Sequence, residues 1–421
     1  MRIWLITVGE PLPSDDGNNR YLRTGVLAQH LVDAGHQVTW WSSTFDHARK
    51  RHRETTDKKI SMGSNFDIWL LHAAGYRKNI SFARLINHGG TARKFRKYSW
   101  EERSPDILLS SFPTVELCAE AVVYGKKYNV PVLIDIRDLW PDIFLDFCPA
   151  FAKPFMKKGL LPYERKTDFA LRNCNGILGI SEKYLNWGLN RAGRQQGEND
   201  AVFPLGYKKP AATRKRIDLA EGSLTSSGVD KNKVICWFVG SFGRTYDLAT
   251  VIQSARQLEA GGHDEVQFVL SGDGDRFQEW KSLADGLSNV IFTGWIDAEQ
   301  IAFLSGIADI GLQAYADRAP QGLANKLFEY MSSGLAILSS LDGENAKLIE
   351  AQECGMTYPA GDSAVLSDQI VKLVKNRDLM KRYQENAARL FQQNFQAEQV
   401  SQKITRHLEE VCQNHACQKY E

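Results

Sequence analysis

Two residues in the stretch ADRAPQGLANKLFEYMSSGLAIL, residues 316–338, have the types and spacing to handle an anion and a diol. Lys326 falls in the first turns of a helical pattern (Leu323, Leu327, Phe328, Met331), where the helix dipole disfavours a cation, and Glu329 follows three residues later. A lysine that burdens the helix alone becomes useful when an anion binds there, because unpaired N–H groups and the positive dipole end already favour negative charge. A carboxylate one turn further on can accept two hydrogen bonds from adjacent ribose hydroxyls, as acidic residues do in other nucleotide folds. Arg244, in Gly240-Ser241-Phe242-Gly243-Arg244, offers a second full charge. Gly272-Asp273-Gly274 is another turn whose backbone N–H groups can approach a phosphate. The ligand these residues suit is a nucleoside diphosphate derivative.

The elements that must position them alternate. In the first half the patterns predict strands near 2–8, 37–41, 67–71, 106–109, 131–135 and 176–180. Helices are expected near 19–34, 80–98, 114–127, 155–172 and 182–192. After a polar stretch at 207–232 the alternation restarts, with strands near 234–239, 266–271, 289–293, 308–312 and 336–339. The matching helices are 246–260, 275–285, 297–304, 322–333 and 362–375, and a helical tail covers 377–415. Strands alternating with helices of ten or more residues imply an α/β protein with parallel sheets. Two such series imply two doubly wound, Rossmann-like domains with a cleft between them: 1–206, completed by a C-terminal helix at about 396–421, and 207–395.

Open parallel sheets bind ligands beyond the carboxyl ends of their strands, so the informative residues belong in the loops that follow strands. In the first half these are the loop GEPLPSDDGNNRYLRTG, which places Gly17, Asn18 and Arg20 towards the cleft, and Ile136-Arg137-Asp138-Leu139-Trp140-Pro141-Asp142. In the second half they are the glycine turns above, Trp295-Ile296 after NVIFTG, and the loop with Gln321, Gly322, Leu323 and Ala324. No cluster has the spacing of metal ligands, so neither a metal nor a cofactor is expected.

Composition bounds the rest. At 421 residues, 43% hydrophobic and 24% charged, the chain is globular and long enough for two cores. Seven scattered cysteines fit a reducing compartment. The first apolar run, Ile3 to Val8, is too short for a signal peptide, and nowhere do 18 apolar residues run together, so a cytoplasmic protein is expected. The net charge of +2 hides an asymmetry: residues 1–205 carry 29 Lys and Arg against 22 Asp and Glu, and residues 206–421 carry 23 against 28. Residues 76–103 alone hold eight cations against two Glu, and 153–172 six against two acids, with aromatic and aliphatic residues interleaved. Such segments suit an anionic membrane surface, the inner face of the cytoplasmic membrane in this reading. Nucleic acid is not expected, because no recognised binding motif accompanies the charge.

The architecture resembles the GT-B fold, and three runs are similar to the retaining glycosyltransferases of family four: Gly294-Trp295-Ile296, Ala308-Asp309-Ile310-Gly311-Leu312, and Gln321 through Gly334. Gly35-His36-Gln37-Val38 and Asp138-Leu139-Trp140-Pro141 also match members that build bacterial surface polysaccharides. The resemblance implies sugar transfer, with retention and without metal, from a nucleoside diphosphate sugar, UDP-sugar above all, to a saccharide or lipid-linked acceptor. It implies that Glu329 holds the donor ribose, that the base lies against the backbone at Trp295 and Ile296, and that Gly240, Gly243, Arg244, Gly272, Gly322, Leu323, Ala324 and Lys326 surround the diphosphate. The loop of Asp138 would lie near the reacting sugar, and Asp138, Arg244, Lys326 and Gln321 would be the catalytic set. This sequence departs from the family twice. Gln321 stands where the first of two glutamates is usual, and Thr245 and Tyr246 stand where a lysine usually follows Arg244. A sugar-nucleotide epimerase would share the architecture, although its acidic catalytic set is missing, and a noncatalytic sugar-nucleotide-binding protein would tolerate Gln321.

Overall fold

Short apolar runs in the first 205 residues build one eight-stranded sheet, and amphipathic helices cover it. The structure is a computed structural model that describes residues 1–15, 21–78, 81–142, 144, 150–209, 213–319 and 321–417. Its strands in this part are β1 (Arg2–Ile6), β2 (Gln37–Ser43), β3 (Phe45–Asp46), β4 (Arg51–His52), β5 (Lys58–Gly63), β6 (Phe66–Leu71), β7 (Ile107–Phe112), β8 (Val132–Ile136), β9 (Gly176–Gly179) and β10 (Ala201–Val202). The helices are α1 (Arg23–Asp33), α2 (Phe82–Ser99), α3 (Val115–Tyr128), α4 (Lys153–Asn173) and α5 (Glu182–Ala192). The sheet order is β10-β9-β8-β7-β1-β2-β6-β5, parallel except for β5, which runs antiparallel to β6. Alternate residues of the strands face two cores. Ile3, Leu5, Val38 and Trp40 pack against α1 on one face, and Trp4, Ile6 and Trp41 pack with Phe95 of α2 and residues of α3 on the other.

The second series contains α6 (Arg214–Ser226), β11 (Val234–Val239), α7 (Leu248–Ala260), β12 (Val266–Ser271), α8 (Phe277–Leu283), β13 (Val290–Gly294), α9 (Ala298–Ile307) and β14 (Ile310–Gln313). It continues through α10 (Asn325–Ser332), β15 (Ala336–Ser339), α11 (Glu344–Ala351), β16 (Gly355–Thr357), α12 (Ser363–Lys375) and α13 (Arg377–Asn394). Its sheet is wholly parallel, in the order β13-β12-β11-β14-β15-β16. The last helix, α14 (Ala397–Cys417), belongs to the first unit, where Val400, Ile404, Leu408 and Val411 join Leu27, Leu31, Ile3 and Leu5 in one core. The units are therefore Met1–Leu205 with Ala397–Glu421, and Gly206–Gln396.

Several expectations need correction. The polar stretch 207–232 contains α6, which buries only Ala220 and Leu224 and so shows little apolar periodicity. Edge strand β5 is exposed at five of its six residues and has no alternation to read, and it makes the first sheet mixed rather than parallel. The 377–415 tail is two helices, with α13 capped by Phe395 and α14 starting at Ala397. Helix α10 begins at Asn325, so Gly322 and Leu323 lie in the preceding loop rather than in the helix, and Ala324 is its cap.

Candidate functional site

In both sheets the chain order reverses beside the first strand: β1 lies between β7 and β2, and β11 between β12 and β14. In the second unit β11 pairs with β14 only at Cys236 with Ile310 and Trp237 with Gly311. Beyond that pair the carboxyl ends separate, leaving the crevice in which doubly wound sheets hold ligands. Tyr330 of α10 fills its floor. Its hydroxyl accepts from Val239 N at 3.2 Å and donates to Leu312 O at 3.1 Å, so backbone groups that the parted strands cannot pair are satisfied. Gly311 makes room for this ring: a Cβ there would lie 2.4 Å from it.

Lys326, one turn before Tyr330, donates from Nζ to Val239 O and is only 7% exposed. The ammonium lies 4.8 Å from the ring centres of both Phe238 and Tyr246. Burial drives its pKa down to about 8, with Glu329 opposing the shift. The cation is thus stowed under an aromatic cover at the end of β11 rather than projecting from a helix start. Gly240 has φ of 154°, and a Cβ there would sit 1.9 Å from Lys326 Nζ.

The two glycine turns are bonded to one another. Gly240 N donates to Ser271 O at 2.9 Å, Phe242 N to Asp273 O at 2.8 Å, and Gly272 N to Gly294 O at 2.8 Å. A Cβ on Gly272 (φ 151°) would lie 1.8 Å from Gly240 O. Gly243 opens on empty space and Arg244 is exposed. Ala316 N donates to Thr245 O at 3.0 Å, which fastens the loop before α10 to the loop after β11. Gln321 is half-buried, and its Oε1 is shielded from solvent without a hydrogen-bond partner among the described residues. Glu329 is half-buried and accepts from Tyr207 OH at 3.1 Å through Oε1. Trp295 follows β13 and is 78% exposed, whereas Ile296 is buried.

The structure therefore gathers Gly240, Gly243, Arg244, Gly272, Gln321, Gly322, Leu323 and Ala324 on the loops around one crevice and Lys326 and Glu329 on helix α10 beside it, with Trp295 at the edge strand beyond Gly294. Sequence reading missed the tyrosines. Tyr246 and Tyr315 pair as an isolated antiparallel bridge across the crevice loops, and Tyr207, near the start of the second unit, touches Glu329. The departure from a lysine after Arg244 is the one signal that pointed to Tyr246.

In the first unit Asp138 follows β8. Its Oδ1 accepts from Leu139 N at 2.8 Å, and burial raises its pKa, opposed by that backbone bond and by Arg84. Gly17, Asn18 and Arg20 lie outside the described residues. Both ends of their loop are anchored in a buried charge network that the sequence did not reveal. Arg23 holds Asp135 through two bonds of 2.9 and 3.1 Å, Arg137 bonds Asp135 at 2.8 Å and also Glu10, and Glu10 accepts from Thr24 N at 3.0 Å. These neighbours leave the Asp135 carboxylate below its ordinary pKa although burial pushes the other way.

Two doubly wound units, one with a wholly parallel sheet and one parallel except for its edge strand β5, together with a C-terminal helical region define the GT-B fold. The sucrose-phosphate synthase of Thermosynechococcus elongatus superposes with a TM-score of 0.71 at 17% identity, covering 97% of this chain and 98% of that one. The HepE protein of Anabaena, solved with UDP-glucose, gives 0.64 at 14% identity, over 97% and 100%. Residues 223–390 match the family described as glycosyl transferases group 1. An uncharacterized glycosyltransferase of Methanocaldococcus jannaschii is 26% identical over 168 residues, which are 39% of this chain and 42% of the relative. The match thus spans less than half of that relative's length. Among the described residues there is no group of metal-ligating side chains, and no helix is long and apolar enough to cross a membrane.

Proposed function

We propose that the chain is a glycosyltransferase that moves a hexosyl-type sugar, with retention, from a UDP-sugar to a saccharide or lipid-linked acceptor in bacterial glycan assembly. The observation that carries this reading is the crevice beyond β11, where Lys326, the open space at Gly243 and the carboxylate of Glu329 converge within the group 1 family match. The solved HepE complex with UDP-glucose supports that donor class.

In the reaction the bond from the anomeric carbon to the diphosphate oxygen breaks and the acceptor hydroxyl forms the new one. The departing diphosphate takes up negative charge, so Lys326 and Arg244 act on the group whose charge grows. Glu329 holds the ribose, releasing Tyr207 from Oε1 or sharing that oxygen with it. Gln321 offers an amide where a carboxylate is usual, so it orients the sugar by hydrogen bonds and contributes no charge to a cationic transition state. The buried, unpartnered Oε1 of Gln321 favours a second reading, a protein that binds sugar nucleotide without turning it over.

The first unit is proposed to dock on an anionic membrane surface through 76–103 and 153–172. Phe82 (86% exposed), Ile86 and Phe155 (79%) project into solvent beside lysines and arginines. Phe95 and Leu160 are buried instead, and Lys94 and Arg96 are held by Asp57 and Glu120, so the lipid-facing residues are the exposed ones at the helix starts.

Calorimetric titration with UDP tests the donor site. Glu329→Ala should weaken binding by about 1.5–3 kcal/mol, the range for hydrogen bonds to a charged group. An unchanged dissociation constant in a folded variant removes Glu329 from the site. Release of UDP from a UDP-sugar panel only when acceptor is added supports the transferase, and binding without turnover supports the second reading.

A further inference from the structure

A second polar constellation in the first unit lies outside the donor crevice. Three loops that leave carboxyl ends of the sheet meet there: the β3–β4 hairpin after β2, residues 72–78 after β6, and 137–142 after β8, joined by the first turn of α2. Tyr76 is at its centre. Its hydroxyl lies 2.7 Å from His47 Nδ1, and Lys50 Nζ is 3.5 Å from the same nitrogen. Lys50 Nζ lies 5.0 Å from the centre of the Tyr76 ring, and the Arg84 guanidinium carbon lies 5.9 Å from it and 4.4 Å from that of Trp140.

Holding three basic side chains around one phenol is unfavourable in an unliganded protein. Burial first, then Arg84 and Lys50, push the His47 pKa down to about 4, and burial and Arg84 lower that of Lys50. Asp46 opposes both shifts, and Asp138 interacts with Arg84, so two carboxylates also face the cluster. Lys50 is moreover held at a φ of 54°, a left-handed conformation that is strained for a non-glycine residue. The hairpin that imposes it is fixed from behind. Thr44 bridges His52 and His72 at 3.0 and 3.1 Å, the Phe45 ring lies 4.6 Å from that of Tyr76, and Asn87 of α2 donates to Ala74 O at 2.7 Å. A strained lysine and an arginine aimed at one tyrosine by a rigid frame form a preorganised oxyanion receptor.

We propose that His47, Lys50, Tyr76 and Arg84 form a binding site for a phosphate or diphosphate ester, the anionic part of the acceptor. The acceptor of this chain would then be a phosphorylated molecule and not a neutral sugar. The inference uses the proposed transferase activity only to name the ligand an acceptor.

The test is calorimetry on the full chain with inorganic pyrophosphate, after UDP has saturated the donor crevice. Pyrophosphate is expected to bind once more, more weakly at high salt, and at least tenfold more weakly to the double variant Lys50→Gly, Arg84→Gln. Because Arg84 packs on Trp140, Lys50→Gly alone, which suits the left-handed φ, provides a variant that keeps the fold; it should lose at least threefold. The His47 ring should gain a higher pKa on binding, read by NMR. Glucose 1-phosphate and geranyl diphosphate separate the sources: binding of either supports the site, and preference for the second makes the acceptor a lipid diphosphate. Absence of pyrophosphate binding, or equal binding by folded variants, overturns the proposal. If UDP fails to bind while pyrophosphate binding depends on Lys50, the donor reading fails and this one stands.

Discussion

Lys326 bears the conflict between stability and function in one side chain. Its buried ammonium is held below its ordinary pKa, at about 8, so the folded state disfavours the charge that a diphosphate needs. Between pH 8 and the ordinary value of 10.5 the unfolded chain binds more protons at this residue than the folded one, so its contribution makes stability rise with pH in that window. UDP affinity should run the other way, falling as pH rises past 8, because only the protonated lysine pairs with phosphate. Lys326→Met should therefore melt no lower than the parent at pH 7 while binding UDP roughly tenfold or more weakly, the scale of a lost charge-assisted hydrogen bond. A normal UDP affinity in that variant contradicts the role. That a lysine sits at a helix start with a glutamate one turn on is visible in the sequence. That Phe238 and Tyr246 cover it, or that Tyr207 shares Glu329, is not, because these contacts join residues about 80 to 120 positions apart.

At the level of elements the crevice depends on two turns that exclude any side chain. Gly272→Ala would put a methyl group 1.8 Å from the carbonyl oxygen of Gly240 at a φ of 151°. Backbone must move to relieve it, and the moving backbone forms part of the proposed donor crevice. We expect a loss of about 1–3 kcal/mol, seen as a lower denaturation midpoint at unchanged m, together with loss of UDP binding. Unchanged stability would mean that the turns are not locked together. The central strands were legible as short continuous apolar runs, since β11, β12 and β15 are buried throughout. Elements on the solvent side were not. Helix α6 and strand β5 carry too few buried positions to imprint a period, and β5 begins with two lysines, as exposed edges often do. The network of Glu10, Arg23, Asp135 and Arg137 was equally illegible, because it joins the loop after β1, the start of α1 and the end of β8, residues more than 100 positions apart at the extremes.

Across the whole molecule charge is divided: the first 205 residues are net positive and the remainder net negative. Cosedimentation with vesicles should therefore rise with anionic lipid and fall with salt. Phe82→Ser with Phe155→Ser should lower it without changing the melting temperature, since both rings are in solvent already. Parent protein that stays in the supernatant with anionic vesicles at low salt rules out docking by this surface.

Division by sequence is less tidy than division by charge, since the first unit leaves the chain at Leu205 and resumes at Ala397. Until α14 emerges, the face presented by Leu27, Leu31, Ile3 and Leu5 lacks the cover of Ile404 and Leu408. The 191 residues from Gly206 to Gln396 separate the two parts, so at about 5–20 residues per second a ribosome needs roughly 10 to 40 seconds to bridge them. The half made first is thus the half completed last. During that interval the nascent first unit shows an apolar face to the cell, while the second unit, continuous in sequence, has all it needs to close.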